Sequence, residues 1–106
     1  MNPFIALAEH TGSSEPKHFK ATLIQSERLM LGVNCLEPGQ VQRVHSHGGQ
    51  DKFYFVIEGE GRFTVGAESQ TLGAGHLIWA PADVEHGVEN TGDARLTVLM
   101  GMAPSP

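Results

Sequence analysis

The chain has 106 residues, of which 40% are hydrophobic and 18% are charged, and its formal net charge is -5 at pH 7. This length allows one domain with one modest core, and the composition is that of a globular protein, which excludes a disordered chain. The Lys and Arg residues are few and dispersed, so we expect no nucleic-acid partner, because phosphate binding needs clustered cations.

The first residues, MNPFIALAEHTG, have neither the basic start of a signal peptide nor an apolar stretch long enough for a membrane anchor. The single cysteine, Cys35, cannot form an internal disulfide, and its apolar neighbours indicate a buried side chain rather than a reactive thiol. We therefore expect a cytoplasmic protein without a membrane partner.

Thirteen glycines and six prolines divide the chain into short segments, which is typical of an all-β domain with many turns. Residues 1–20 are expected to form a short N-terminal arm and loop, in which His10 and His18 are exposed and without a role. Periodicity alone fits a sandwich or a barrel equally well. About nine strands are predicted, at 22–25, 29–36, 41–47, 53–58, 62–65, 70–72, 76–80, 85–90 and 96–100.

The segment 39–59, GQVQRVHSHGGQDKFYFVIEG, contains two histidines one residue apart, His45 and His47. Because alternate side chains of a strand point to the same face, both imidazoles can reach one point in space. Imidazole is the commonest metal ligand in proteins, so this pair predicts a metal site. The next histidine in a strand-like setting is His86, in the segment GHLIWAPADVEHGVEN.

The spacing around these histidines resembles the two motifs of the cupin superfamily. The first motif is a glycine, five residues, HxH, three or four residues, a glutamate, six residues and a glycine. The second is a glycine, five residues, PxG, two residues, a histidine, three residues and an asparagine. The matching residues are Gly39, His45, His47 and Gly59 in the first motif and Gly75, Pro81, His86 and Asn90 in the second.

The resemblance implies a double-stranded β-helix, a small jelly-roll-like antiparallel barrel. It also implies one divalent transition metal, Fe, Mn, Ni, Cu or Zn, held inside the barrel by His45, His47 and His86. A spacer of fifteen residues between the motifs is typical of small single-domain members. The motifs occupy residues 39–59 and 75–90 of one domain that covers 1–106.

The chain departs from the family at the fourth ligand, which should be a glutamate. Counting back from Gly59 places Lys52 there, and a protonated lysine cannot coordinate a metal. In a regular strand Gln50 shares the face of Lys52, whereas Asp51 points away. We therefore predict Gln50 as the fourth ligand, with Asp51 as the alternative if a bulge shifts the phase. In a further alternative both residues only form hydrogen bonds in a loop.

Neutral ligands would leave the full charge of the metal uncompensated, so we expect the bound substrate to be a small anionic molecule. Arg43 shares the face of the histidines if the strand is regular, and would then bind a carboxylate. Lys52 is a second candidate for that role, although its long side chain can also extend outward to solvent. Pocket-lining residues are predicted at Tyr54 and Met100, and more weakly at Val56, Phe63 and Trp79.

Three other residues of the second motif have expected roles. Asp83 stands where the family has a glycine, a change that Asp tolerates better than most residues. Asn90 is expected to pair with local backbone. His76 follows the turn glycine at a position that is usually exposed, so it is excluded from the site.

Three functions fit these observations, and no catalytic residue is assigned. The first is a metal-dependent enzyme, an oxygenase of the dioxygenase type, that acts on a small organic anion. The second is a non-catalytic cupin that binds or senses a small molecule, since a fold does not determine a function. The third is a metal-dependent isomerase or lyase. A homodimer is also expected, because small open sheets leave edges that association covers.

Overall fold

The computed structural model describes residues 1–46 and 48–106, so His47 lies outside the described residues. One turn of 3-10 helix, Leu7–His10, precedes the strands. The described strands are β1 Phe19–Gln25, β2 Met30–Leu36, β3 Val41–His45, β4 Asp51–Glu58, β5 Glu60–Val65, β6 Glu68–Gly73, β7 Leu77–Ala80, β8 His86–Glu89 and β9 Leu96–Ala103. The all-β prediction with about nine strands is therefore confirmed, although β1 begins inside the predicted arm.

The strands form two antiparallel sheets. Five strands lie in the order β1-β2-β9-β4-β7 and four in the order β3-β8-β5-β6. The buried core contains residues from both, among them Tyr54 and Val98 from the first sheet and Phe63 and Val88 from the second. The two sheets therefore face each other across one core. Among the described residues, no helix has the length and hydropathy needed to cross a membrane.

The register of the five-stranded sheet determines which side chains meet on its inner face. Met102 of β9 lies opposite Met30 on one side and Lys52 on the other. Two residues along β9, Met100 lies opposite Gly32 and Tyr54. Because residues two apart on a strand share a face, these side chains form one continuous inner surface.

In the four-stranded sheet, a β-bulge interrupts the pairing of β3 with β8. Gln42 pairs with Val88 and His45 pairs with His86, so three steps along β3 correspond to two along β8. The extra residue reverses the alternation of side chains between Gln42 and His45. Gln42 and His45 both border the inner cavity, whereas Arg43 is exposed. The expectation that Arg43 shares the face of the histidines assumed a regular strand, and the bulge overturns it.

The turn positions of both motifs have the backbone that their residues predict. Gly59 has a φ of +83°, and a Cβ there would collide with the carbonyl oxygen of Arg95. Asp83, in the place of the family's glycine, has a φ of 66°, a conformation that Asp adopts more readily than most residues. Asn90 is buried, and its amide donates to the carbonyls of Leu36 and Ala94 at 2.7 and 2.9 Å. The backbone pairing expected of Asn90 is therefore confirmed.

Candidate functional site

Two of the predicted metal ligands face each other across β3 and β8. The ring centroids of His45 and His86 are 4.5 Å apart. His45 Nδ1 lies 2.7 Å from the carbonyl oxygen of Arg43, and His86 Nδ1 lies 3.1 Å from that of Val84. Because a carbonyl can only accept a hydrogen bond, each Nδ1 carries a proton, and the neutral tautomer that fits this contact has its lone pair on Nε2. This is the arrangement by which proteins orient histidine ligands, so the two residues fit a transition metal.

The described residues do not show the other predicted ligands beside His45 and His86. His47 lies outside them, and residues 1–46 and 48–106 contain no group of three or more His, Cys, Asp or Glu side chains placed to hold a metal ion. Gln50 Nε2 donates to the carbonyl oxygen of Pro104 at 3.4 Å, and Asp51 accepts a hydrogen bond from the backbone N–H of Ala82 at 2.9 Å. The fourth ligand therefore stays a prediction.

A cavity of about 410 Å³ opens between the sheets beside His45. Its charged and polar lining residues are Lys20, Thr22, Asn34, Gln42, His45 and Lys52. The chain has 12 acidic residues, yet none belongs to the described lining. The cavity is thus a positively charged pocket in a protein of net negative charge, and it favours an anionic ligand.

Lys52 is the most unusual residue of the cavity, because its side chain is 3% exposed. Its Nζ lies 4.9 Å from the centroid of the Tyr54 ring. The ion pair found among the described residues joins Arg95 to Glu37, and none involves Lys52. Burial, followed by the nearby charge of Lys20, lowers the pKa of Lys52 to about 8, so the side chain is still mainly charged at pH 7. Lys52 does not extend outward to solvent but places a cation inside the barrel.

Tyr54 was predicted to line the pocket, but it is fully buried in the core, lies next to Lys52 and is not part of the described lining of the cavity. Its hydroxyl donates a hydrogen bond to Gln42 Oε1 on the opposite sheet. Its ring lies 6.2 Å from the His86 ring and 5.8 Å from the Phe63 ring. Burial raises the pKa of Tyr54, so the phenol stays neutral and keeps its hydrogen bond to Gln42, which does line the cavity.

Methionines form the apolar part of the cavity. Of the four methionines in the chain, three line it: Met30, Met100 and Met102. Gly32 makes room for them, since a Cβ there would lie 3.3 Å from Met100 Sδ and 2.9 Å from the carbonyl oxygen of Ala21. The sequence indicated Met100 but missed Met30 and Met102, which only the register of β2 and β9 brings together.

Two residues predicted near the site lie elsewhere. Arg43 is exposed and does not border the cavity, as the bulge requires. Trp79 is 57% exposed, because it lies on an edge strand with its ring on the side opposite its buried neighbours Ile78 and Ala80. Phe63 and Val56 belong to the core cluster and are not part of the described lining of this cavity.

His18 differs from its prediction as an exposed residue. Its side chain is half-buried, and the described residues offer no hydrogen-bond partner to its buried Nε2. Burial and then the charges of Lys20, Lys52 and Lys17 lower the pKa of His18. His18 therefore contributes a neutral ring close to the two cavity lysines, and the loop-like sequence around it gave no signal of this. His10 is exposed, as predicted, and Cys35 is buried, as predicted.

The fold and this site can be compared with known proteins. Residues 32–102 match the family model described as a cupin domain. The chain belongs to the cupin family.

One relative and two solved structures show the degree of sequence and structural similarity. The oxalate-binding protein of Thermotoga maritima is 30% identical over 90 residues, which are 85% of this chain and 69% of that protein. TT1209 of Thermus thermophilus is 37% identical, with a TM-score of 0.93 over 97% of this chain and 98% of that one. A double-stranded β-helix protein of Klebsiella pneumoniae is 22% identical, with a TM-score of 0.92 over 98% of this chain and 91% of that one. The predicted double-stranded β-helix is therefore confirmed.

Proposed function

We propose that this cupin binds one divalent transition metal through His45, His47 and His86 and acts on a small organic anion in the adjoining cavity. The observation that carries the proposal is that two histidines and a buried lysine face the same interior space from opposite sheets. Oriented imidazoles face the interior from one sheet, and the buried cation of Lys52 faces it from the other. Gln50 is retained in the proposal as the fourth ligand.

Each part of the cavity has a role in this proposal. The metal, when bound, supplies a Lewis acid with open coordination positions. Lys52 binds an acid group of the substrate and supplies the positive charge that a carboxylate needs once it leaves water. Gln42 lines the cavity, and the hydrogen bond that it accepts from Tyr54 on the opposite sheet fixes its position. None of the described lining residues is a carboxylate that could act as a general base.

Oxidation by dioxygen remains the reaction that we propose for this site, because imidazole ligands suit iron and copper. A second candidate is binding without turnover, since the relative in Thermotoga maritima is named an oxalate-binding protein and the described lining of the cavity includes no carboxylate for proton transfer. An isomerase or lyase that needs no oxygen is the third reading. The homodimer and the cytoplasmic location stay predictions.

The proposed ligands lead to a prediction about metal content. Purified protein is expected to hold close to one equivalent of metal by elemental analysis. His45→Ala and His86→Ala are expected to weaken metal affinity by more than about a hundredfold, since removal of a ligand costs at least as much as removal of its supporting groups. His76→Ala is the matched control, because His76 is an exposed histidine outside the cavity. An equal loss in His76→Ala, or wild-type protein that takes up no metal, would contradict the proposal.

Oxygen consumption separates the candidate reactions. Metal-loaded protein is expected to consume oxygen in an electrode cell when it is offered a panel of small carboxylates and diketones, and His86→Ala is expected to consume none above background. Product formation without oxygen uptake would instead favour the isomerase or lyase. Saturable binding without any product would favour the binding protein.

A further inference from the structure

We propose that the ligand of this cavity is a monocarboxylate with an apolar body, whose acid group pairs with Lys52 and whose body lies against Met30, Met100 and Met102. The inference rests on the proposed function, because it takes the cavity beside His45 as the substrate site. It goes further by stating the charge and the polarity of the ligand. A ligand of this kind differs from oxalate, which has two acid groups and no apolar body.

The acid group that pairs with Lys52 follows from the lysines of the cavity, counted without the charge of the metal. Lys52 is buried and Lys20 is exposed on the edge strand β1. A buried cation without a carboxylate partner among the described residues is costly, and one anionic group offsets it. A second acid group directly bonded to the first, as in oxalate, would gain little from Lys20, which is already solvated.

The apolar body follows from the arrangement of the methionines. Met102 lies directly opposite both Lys52 and Met30, and Met100 follows two residues away on the same strand. The ammonium group lies over the Tyr54 ring, and the register places thioether side chains beside Lys52 on the inner face. Methionine is flexible and polarisable, so these side chains can adapt to an aliphatic or aromatic group but give nothing to a second carboxylate.

The size of the cavity also favours a ligand with an apolar body. Its volume of about 410 Å³ lies within the range of small-molecule sites. Two carboxylates joined directly would fill only a small part of it and would leave the methionines without a contact. An aromatic or medium-chain carboxylate would occupy both the charged end and the apolar wall.

Calorimetric titration with phenylacetate, hexanoate, acetate, oxalate and phenylacetamide tests the inference on metal-free protein, in which oxalate gains nothing from chelating a metal. Phenylacetate and hexanoate are expected to bind at least about tenfold more tightly than acetate or oxalate, because only they bury apolar area. Phenylacetamide has the shape of phenylacetate without its charge and is expected to bind at least about tenfold more weakly. Oxalate as the tightest ligand, or equal binding of the acid and the amide, would overturn the inference.

Substitutions at Lys52 and Met102 test whether these two residues cause the ligand preferences. Lys52→Met is expected to abolish the difference between phenylacetate and phenylacetamide, and Met102→Ala is expected to reduce the advantage of phenylacetate over acetate. Lys17→Met, an exposed lysine outside the described cavity lining, is the control that keeps both differences. The metal content of the protein before the metal is removed separates the two proposals. Protein that takes up no metal contradicts the proposed function, whereas metal-free protein that prefers oxalate contradicts only this inference.

Discussion

Replacing Lys52 with methionine is expected to raise the free energy of unfolding of the metal-free protein by about 1 to 3 kcal/mol at pH 7. Lys52 is buried, and no carboxylate among the described residues pairs with it. The fall of its pKa from 10.5 to about 8 corresponds to a penalty of about 3 kcal/mol for keeping the charge in the folded state. Methionine has a similar length and would pack beside Met102 without that penalty.

The same variant has an expected pH dependence. Between pH 8 and 10.5, the unfolded chain keeps the Lys52 proton that the folded chain has lost, so the stability of the wild type rises with pH. The advantage of Lys52→Met is therefore largest below pH 8 and disappears above 10.5. Urea denaturation at several pH values, with chelator present, measures the difference between the two proteins. Lys17→Met is the control, and its stability should follow that of the wild type at every pH.

A loss of stability in Lys52→Met, or a gain that does not change with pH, would contradict this account. The variant could be more stable and also bind phenylacetate no more tightly than phenylacetamide. Lys52 would then lower the stability of the fold and contribute to the binding of the acid group. Such a trade of stability for function is common at sites that hold an unpaired charge.

Replacing Lys52 with glutamate is expected to tighten the binding of a divalent metal by at least about tenfold, because a potential anionic ligand replaces a repelling cation beside His45. Competition with a chromophoric chelator measures the affinity. Lys52→Gln removes the charge without adding an anionic ligand, so its affinity should fall between those of the wild type and Lys52→Glu.

Lys17→Glu makes the same change of charge at an exposed position outside the described cavity lining. Its metal affinity is expected to match that of the wild type. If both glutamate variants tighten metal binding equally, the effect comes from net charge, and Lys52 does not occupy the position of the missing ligand.

The motif spacing predicted the fold well because it depends on turn geometry. Glycines at fixed distances set where strands begin and end, and Gly59 shows why, since its positive φ and the nearby carbonyl of Arg95 leave no room for a side chain. Alternation and turn residues also located nine strands close to their observed bounds. These are local properties that a sequence carries directly.

Face assignments were less predictable, because they depend on every residue of a strand being regular. A single extra residue in β3 places Gln42 rather than Arg43 beside the cavity. The sequence located Lys52 by counting from Gly59, but its burial depends on β9 and β7 on either side of β4. Trp79 was assigned to a pocket by residue type alone; it lies on an edge strand and borders a second cavity, not the one beside His45.

The bulge in β3 also keeps a charge out of the binding chamber. It lets Gln42 and His45 both border the interior although they are three residues apart, while Arg43 stays exposed. Deleting Arg43 or Val44 would restore regular alternation with Gln42 and His45 still on one face, so the residue left between them would point outward. Loss of the bulge at constant length would instead put Arg43 on the face of His45, so a change of pairing register, and not a change of length, would bring the guanidinium inward.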